Sequence, residues 1–114
     1  MISATLYREG GSLTGCRLEG HSGYDEAGRD IICAAVSILS CTCVNALESV
    51  CGLPPAEITA NEEGLLSFFL PERDEEGDRK AQILMGALKQ GLTDLAESYP
   101  EYLKVTIKER RKRP

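Results

Sequence analysis

Apolar and polar residues alternate at the start of the chain. Ile2, Ala4 and Leu6 are set against Ser3, Thr5 and Tyr7, the two-residue period of a strand with one buried face. Gly10-Gly11 predicts a tight turn, after which Leu13 to Gly20 returns antiparallel with Thr14, Cys16 and Leu18 on its core face. The period changes at Ile31. From there to about Val50, Ile32, Val36, Leu39, Cys43 and Leu47 recur on one side of a helix, and Asp30, Cys33, Ser37, Ser40, Cys41 and Glu48 on another. Gly52 and Pro54-Pro55 end that helix. Ala56 to Asn61 and Leu65 to Leu70 then predict a hairpin turning at Glu62-Glu63-Gly64. One ring of Phe68-Phe69 points to the core, and the other outward to a subunit interface or a peptide groove.

Pro71 to Arg79, PERDEEGDR, reads as an exposed, mobile linker and a rim for a basic substrate. A second helix carries Ala81, Leu84, Leu88, Leu92, Leu95 and Tyr99 on one stripe. Its Gly86 and Gly91 each cost about 1 kcal/mol against Ala, which close approach to the small-residue stripe of the first helix offsets. Leu103, Val105 and Ile107 form a last alternating strand. The order ββαββαβ predicts an α+β two-layer sandwich, with a largely antiparallel five-stranded sheet and both helices on one face.

Length and composition narrow the class. The 114 residues suit one domain, 1–114, with a basic tail over 108–114. The apolar run from Ile31 to Leu47 contains Ser37, Ser40, Thr42 and Asn45. It falls short of the roughly 20 residues a span needs, so no membrane is expected. The five cysteines are an odd number, and no basic segment followed by an apolar core opens the chain, so reduced thiols and a cytoplasmic location are expected. Residues 104–114 hold six basic side chains against Glu109, a net +5, so the remainder carries −10 of the chain's −5. An acidic body attracts basic peptides and repels nucleic acid. The tail suits a solvated end, with RNA contact open but secondary.

Candidate chemistry gathers at two residues. His21 is the sole histidine and follows the second strand at Gly20, and Cys33 lies twelve positions on. Gly23 and Gly28 loosen the intervening loop. Asp30 suits a helix N-cap, which sets Cys33 three residues into the helix. There the helix terminus favours thiolate, an imidazole takes the proton, and free amides await an oxyanion. Ser37, one turn on, either positions the thiol or bonds back to a carbonyl. By type and spacing alone, a structural cysteine near a strand-end histidine is the commoner arrangement. A metal is not expected: Cys41 and Cys43 diverge by about 200° on a helix, and neither a C-x-x-C pair nor a second histidine completes a site. A thiol redox role lacks a resolving cysteine beside Cys33.

The block GHSGYDEAGRDIICAAVS, residues 20–37, resembles the signature of the ribosomal-processing cysteine protease (Prp) family. In that signature a strand-end G-H and a glycine-containing loop precede G-x-D-I-x-C-A-A-V-S. The resemblance implies that Cys33 is the nucleophile and His21 the general base and acid. Asp30, Ser37 and Gly20 are then supporting residues, Asp30 either capping the helix or orienting His21. Ser22, Gly23, Tyr24, Gly28 and Arg29 become a loop closing over substrate. It further implies a homodimer and, as substrate, the precursor of large-subunit ribosomal protein number twenty-seven, whose N-terminal extension is removed. No cofactor is called for. The alternative is a non-enzymatic ribosome-associated module binding protein or RNA through the tail and the polar sheet face.

Overall fold

The computed structural model describes residues 1–20, 27–61 and 64–110, with the backbone alone at 27–30. The elements are β1 (Ile2–Glu9), β2 (Ser12–Glu19), α1 (Ala27–Ser49), β3 (Ala56–Asn61), β4 (Leu65–Phe69), α2 (Glu75–Ser98) and β5 (Leu103–Glu109). They follow the expected order. The strands form one sheet in the order β3-β4-β2-β1-β5. Its pairs are antiparallel except β1 with β5, because α2 carries the chain back across the sheet before β5 begins.

Ile2, Ala4, Leu6, Cys16, Leu18, Phe68 and Leu103 from the sheet meet Ile32, Val36, Cys43 and Leu47 of α1 and Ala81, Met85, Leu88 and Leu92 of α2 in one core. Both helices therefore cover the same face. Residues 31–49 are long and apolar enough to cross a membrane, with a mean hydropathy of 1.8, two residues more than the run to Leu47 suggested. Here α1 is instead a core helix, with Ile32 and Leu47 wholly buried.

Four local readings change. In β2 the register slips, so that Tyr7 faces Gly15 while Arg8 faces Leu13. Thr14 is the extra residue of this bulge. Leu13 takes the core position and Thr14 stays half-buried, its hydroxyl 3.4 Å from the Tyr7 carbonyl. Bulges re-aim side chains without leaving an alternation signal.

The first helix begins at Ala27, so Asp30 is its fourth residue rather than its cap, and Gly28 and Arg29 belong to its first turn rather than to a loop. The charged segment 71–79 is mostly helix. Asp74 caps α2 by accepting from the Gly77 amide at 2.7 Å, and acidic Glu75, Glu76 and Asp78 occupy its first turn, where the helix dipole favours them. Arg73 holds Asp78 at 2.7 Å. Finally, Gly91 is compensated by Leu39 of α1 rather than by a small-residue stripe: a Cβ there would lie 2.8 Å from Leu39 Cδ2, whereas nothing lies within 4 Å at Gly86.

α1 ends as its sequence suggests. Gly52, at φ 68°, lets its own amide and that of Leu53 turn back onto the carbonyls of Glu48 and Leu47, at 3.0 and 2.8 Å. The chain is thereby directed into β3, the edge strand that pairs with β4.

Candidate active site

Cys33 is half-buried on α1 and lines an open cleft of about 280 Å³. The floor is apolar, formed by Ile2, Leu18 and Val36, and the opposite wall is the β3–β4 hairpin at Asn61, Gly64 and Leu65. Helical spacing brings Ser37 and Cys41 to the same wall as Cys33. A thiol and a hydroxyl thus border the same groove as the β3–β4 hairpin.

Gly20 also lines this cleft. It ends β2 at φ 94°, and a Cβ there would stand 2.5 Å from the Met1 carbonyl oxygen. Only glycine fits both the left-handed backbone and the close approach. The chain therefore leaves the sheet beside the start of β1, at the edge of the groove. His21, Ser22, Gly23 and Tyr24 lie outside the described residues. Asp30, Gly28 and Arg29 are described only as helical backbone.

The helix start alters the chemistry assigned to Cys33. It is the seventh residue of α1, beyond the first turn that holds the unpaired amides and most of the dipole's effect. Activation by the helix terminus, and an oxyanion hole made of first-turn amides, therefore lose their basis. Among the groups named from sequence, the imidazole remains to take the thiol proton.

The two serines of this helix stripe, Ser37 and Ser40, divide cleanly. Ser40 is 2% exposed, and its hydroxyl donates to the carbonyls of Val36 at 2.8 Å and Ser37 at 3.2 Å. It is the back-bonded hydroxyl. Ser37 is exposed in the cleft and makes no side-chain hydrogen bond among the described residues, which leaves it available to a ligand.

Two of the remaining thiols, Cys16 and Cys43, are structural by environment. Burial, with a smaller contribution from Cys43, pushes the Cys16 thiol up to about 12. Burial, then Cys51, pushes Cys43 up to about 11. Cys41 is exposed and Cys43 buried, the divergence expected of helix neighbours two apart. Among the described residues no group of three or more metal-ligating side chains comes together.

Sequence reasoning missed the hairpin wall. Asn61, Gly64 and Leu65 lie about thirty positions beyond Cys33, and no local pattern ties them to it. Conversely, none of residues 71–79 lines the cleft, and neither does Phe69. The charged segment is not its rim and the outward ring is not part of its groove.

The fold is thus an α+β sandwich with a half-buried thiol, Cys33, in an open, apolar-floored groove. The chain belongs to the cysteine protease Prp family, whose sequence model matches residues 1–104, and it is accordingly a cysteine protease. It is 31% identical over 108 residues to the ribosomal processing cysteine protease Prp of Bacillus subtilis, covering 93% of this chain and 96% of that one. Among solved structures it is similar to SMU.848 of Streptococcus mutans, with 38% identity, 96% of each chain covered and a TM-score of 0.85. It also shares the fold of the S. aureus ribosomal processing protease Prp crystallised with a substrate peptide, with 23% identity, 95% and 100% coverage and a TM-score of 0.81.

Proposed function

We propose that residues 1–114 act as one endopeptidase domain that removes the N-terminal extension of large-subunit ribosomal protein number twenty-seven, using Cys33 as nucleophile and His21 as general base and acid. The observation that carries this reading is the position of Cys33 in a groove bordered by Gly20, the covalent neighbour of the only histidine in the chain. The ribosomal processing role named for the Bacillus subtilis relative and the substrate-peptide complex of the S. aureus protein supply the substrate class.

In this mechanism His21 takes the Cys33 proton, and the thiolate attacks the scissile carbonyl carbon as the carbonyl electron pair moves to oxygen. Collapse of the tetrahedral adduct breaks the C–N bond, and His21 returns the proton to the departing amine. The shortened ribosomal protein leaves with a new N-terminus. Water, deprotonated by His21, then cleaves the thioester, releases the extension as a carboxylic acid and restores the thiol. Ser37 steadies the reacting groups from one turn away, Asp30 orients His21, and Ser22, Gly23 and Tyr24 close over the peptide. The −10 body attracts a basic segment. The working form is a cytoplasmic homodimer.

The test is incubation of the full-length ribosomal precursor with the protein and its variants, with products read by mass spectrometry. One cut near the precursor's N-terminus is expected, absent in Cys33→Ala and at least about a hundredfold slower in His21→Ala. Cutting by Cys33→Ala, or no cutting by the unaltered protein, overturns the proposal.

A further inference from the structure

The sheet face turned away from the helices takes no part in the Cys33 groove. Its most developed row crosses four strands. Phe69, Gly15, Tyr7 and Lys108 are successive cross-strand neighbours on β4, β2, β1 and β5. Gly15 has no side chain, and a Cβ there would collide with the Phe69 ring, so the ring lies across β2. There it meets Tyr7 with centroids 5.3 Å apart and planes tilted by 32°. The Arg110 guanidinium stands over both rings, 4.7 Å from the Phe69 centroid and 5.6 Å from that of Tyr7.

The charge of this face opposes that of the body. Lys104 and Lys108 are exposed on β5 because Val105 and Ile107 pack inward. Of the acids beside this face, Glu19 pairs with Arg17 and Glu109 with Arg8, which leaves Glu9, at the end of β1, against the three cations. Lys104, Lys108 and Arg110 form no ion pair among the described residues. Between the rings and Lys104 the face carries the short hydroxyl side chains of Thr5 and Thr106 and, beside them on β2, Arg17, which adds a further cation.

We propose that this face binds single-stranded RNA, with phosphates held by Lys104 and Lys108 and a base stacked on the Tyr7–Phe69–Arg110 cluster. Cations alone would suit any polyanion. Two aromatic rings under a guanidinium on an open sheet add the stacking platform that bases use and acidic peptides do not. The assignment is independent of the peptidase reading, because none of these residues borders Cys33.

The experiment is fluorescence anisotropy of labelled oligouridine with the full chain at two salt concentrations. Binding at about 50 mM salt should weaken about sevenfold by about 200 mM, as expected when roughly two phosphates are neutralised. Phe69→Leu should weaken binding about fivefold or more without changing the salt slope. Lys104→Gln with Lys108→Gln should instead lower the slope by about 1.4. Arg110→Gln keeps both rings and should reproduce the stacking loss, so a misfolded Phe69→Leu leaves the question answerable. Cleavage of a peptide by all these variants should match that of the unaltered protein. The proposal is overturned by no binding at the lower salt, by ring and Arg110 variants that bind normally, or by displacement of RNA equally well by polyglutamate. A second copy covering the face, seen as self-association that Phe69→Leu abolishes, overturns it too.

Discussion

Leu39 of α1 occupies the notch left by Gly91 of α2, so that a Cβ at position 91 would lie 2.8 Å from its Cδ2 and 3.0 Å from its Cδ1. At Gly86, on the same helix, nothing lies within 4 Å. Two glycines with the same helix-propensity cost therefore have opposite prospects. Gly86→Ala should stabilise by about 0.5–1 kcal/mol. Gly91→Ala gains the same propensity but must move Leu39 against a packed helix pair, and overpacking costs about 1–3 kcal/mol. Urea midpoints should rank Gly86→Ala above the parent and Gly91→Ala at or below it. Equal gains for both would remove the notch from the account.

Gln82 of α2 grips the bulged strand. Its side chain accepts from the Leu13 amide at 2.9 Å and donates to the Leu13 carbonyl at 2.7 Å, satisfying backbone groups next to the extra residue Thr14. Gln82→Ala should cost about 1–3 kcal/mol. Gln82→Glu keeps the acceptor, loses the donor and sets a charge near Asp78, which lies 3.3 Å from the Gln82 amide nitrogen, so it should cost at least as much. Thermal melts of the pair decide. A glutamate variant as stable as the parent would show the carbonyl bond to be dispensable.

The bulge also shows where sequence stops being informative. Alternation places Ile2, Ala4 and Leu6 correctly, and the 3.6-residue period gives Ile32, Val36, Cys43 and Leu47 their buried side. Alternation alone puts Thr14 inward, because a single inserted residue leaves the composition of the strand untouched. The start of α1 is hidden because Asp30 is a competent cap that lies inside a longer helix, and the added turn moves Cys33 out of the first turn. Cys33 was legible from its signature block, whereas Asn61 and Leu65 reach the groove only through sheet pairing, which no local period encodes.

Gly20 and Gly52 both hold positive φ, at 94° and 68°, yet only Gly20 is crowded, a Cβ there meeting the Met1 carbonyl oxygen. Gly52→Ala should therefore cost about 1–2 kcal/mol, the strain of the left-handed conformation alone. Gly20→Ala adds a backbone clash and should cost more. Because Gly20 leads directly into His21, cleavage by Gly20→Ala should fall even at temperatures where the variant is fully folded. Full activity in a folded Gly20→Ala would separate this turn from the site.

Two buried thiols set an alkaline limit. The folded chain keeps the protons of Cys16 and Cys43 up to about 12 and about 11, against an ordinary thiol value of 9.0. Above 9.0 the unfolded chain releases protons that the folded chain retains, so unfolding free energy falls as pH rises from there toward the folded values and is unaffected by these groups below it. Denaturant midpoints between pH 8 and 11 should decline more steeply in the parent than in Cys16→Ala and Cys43→Ala. Iodoacetamide near pH 8 should label the accessible Cys33 and Cys41 well before the buried pair. Early labelling of Cys16 would contradict its burial.

Ser37 and Ser40 stand three residues apart on α1 with opposite surroundings, which separates catalysis from stability in one comparison. Ser40 is buried and spends its hydroxyl on the carbonyls of Val36 and Ser37, already partners in the helix ladder. Ser40→Ala should thus shift stability by about 1 kcal/mol or less and leave cleavage nearly unchanged. Ser37 is exposed beside Cys33 in the groove, so Ser37→Ala should leave the melt in place and lower kcat/KM about three- to tenfold, the loss of one hydrogen bond to a reacting or bound group. Thr at position 37 restores a hydroxyl and should recover part of the rate. If Ser37→Ala cleaves at the parental rate, the positioning role falls away and the burden of activation rests on His21 alone.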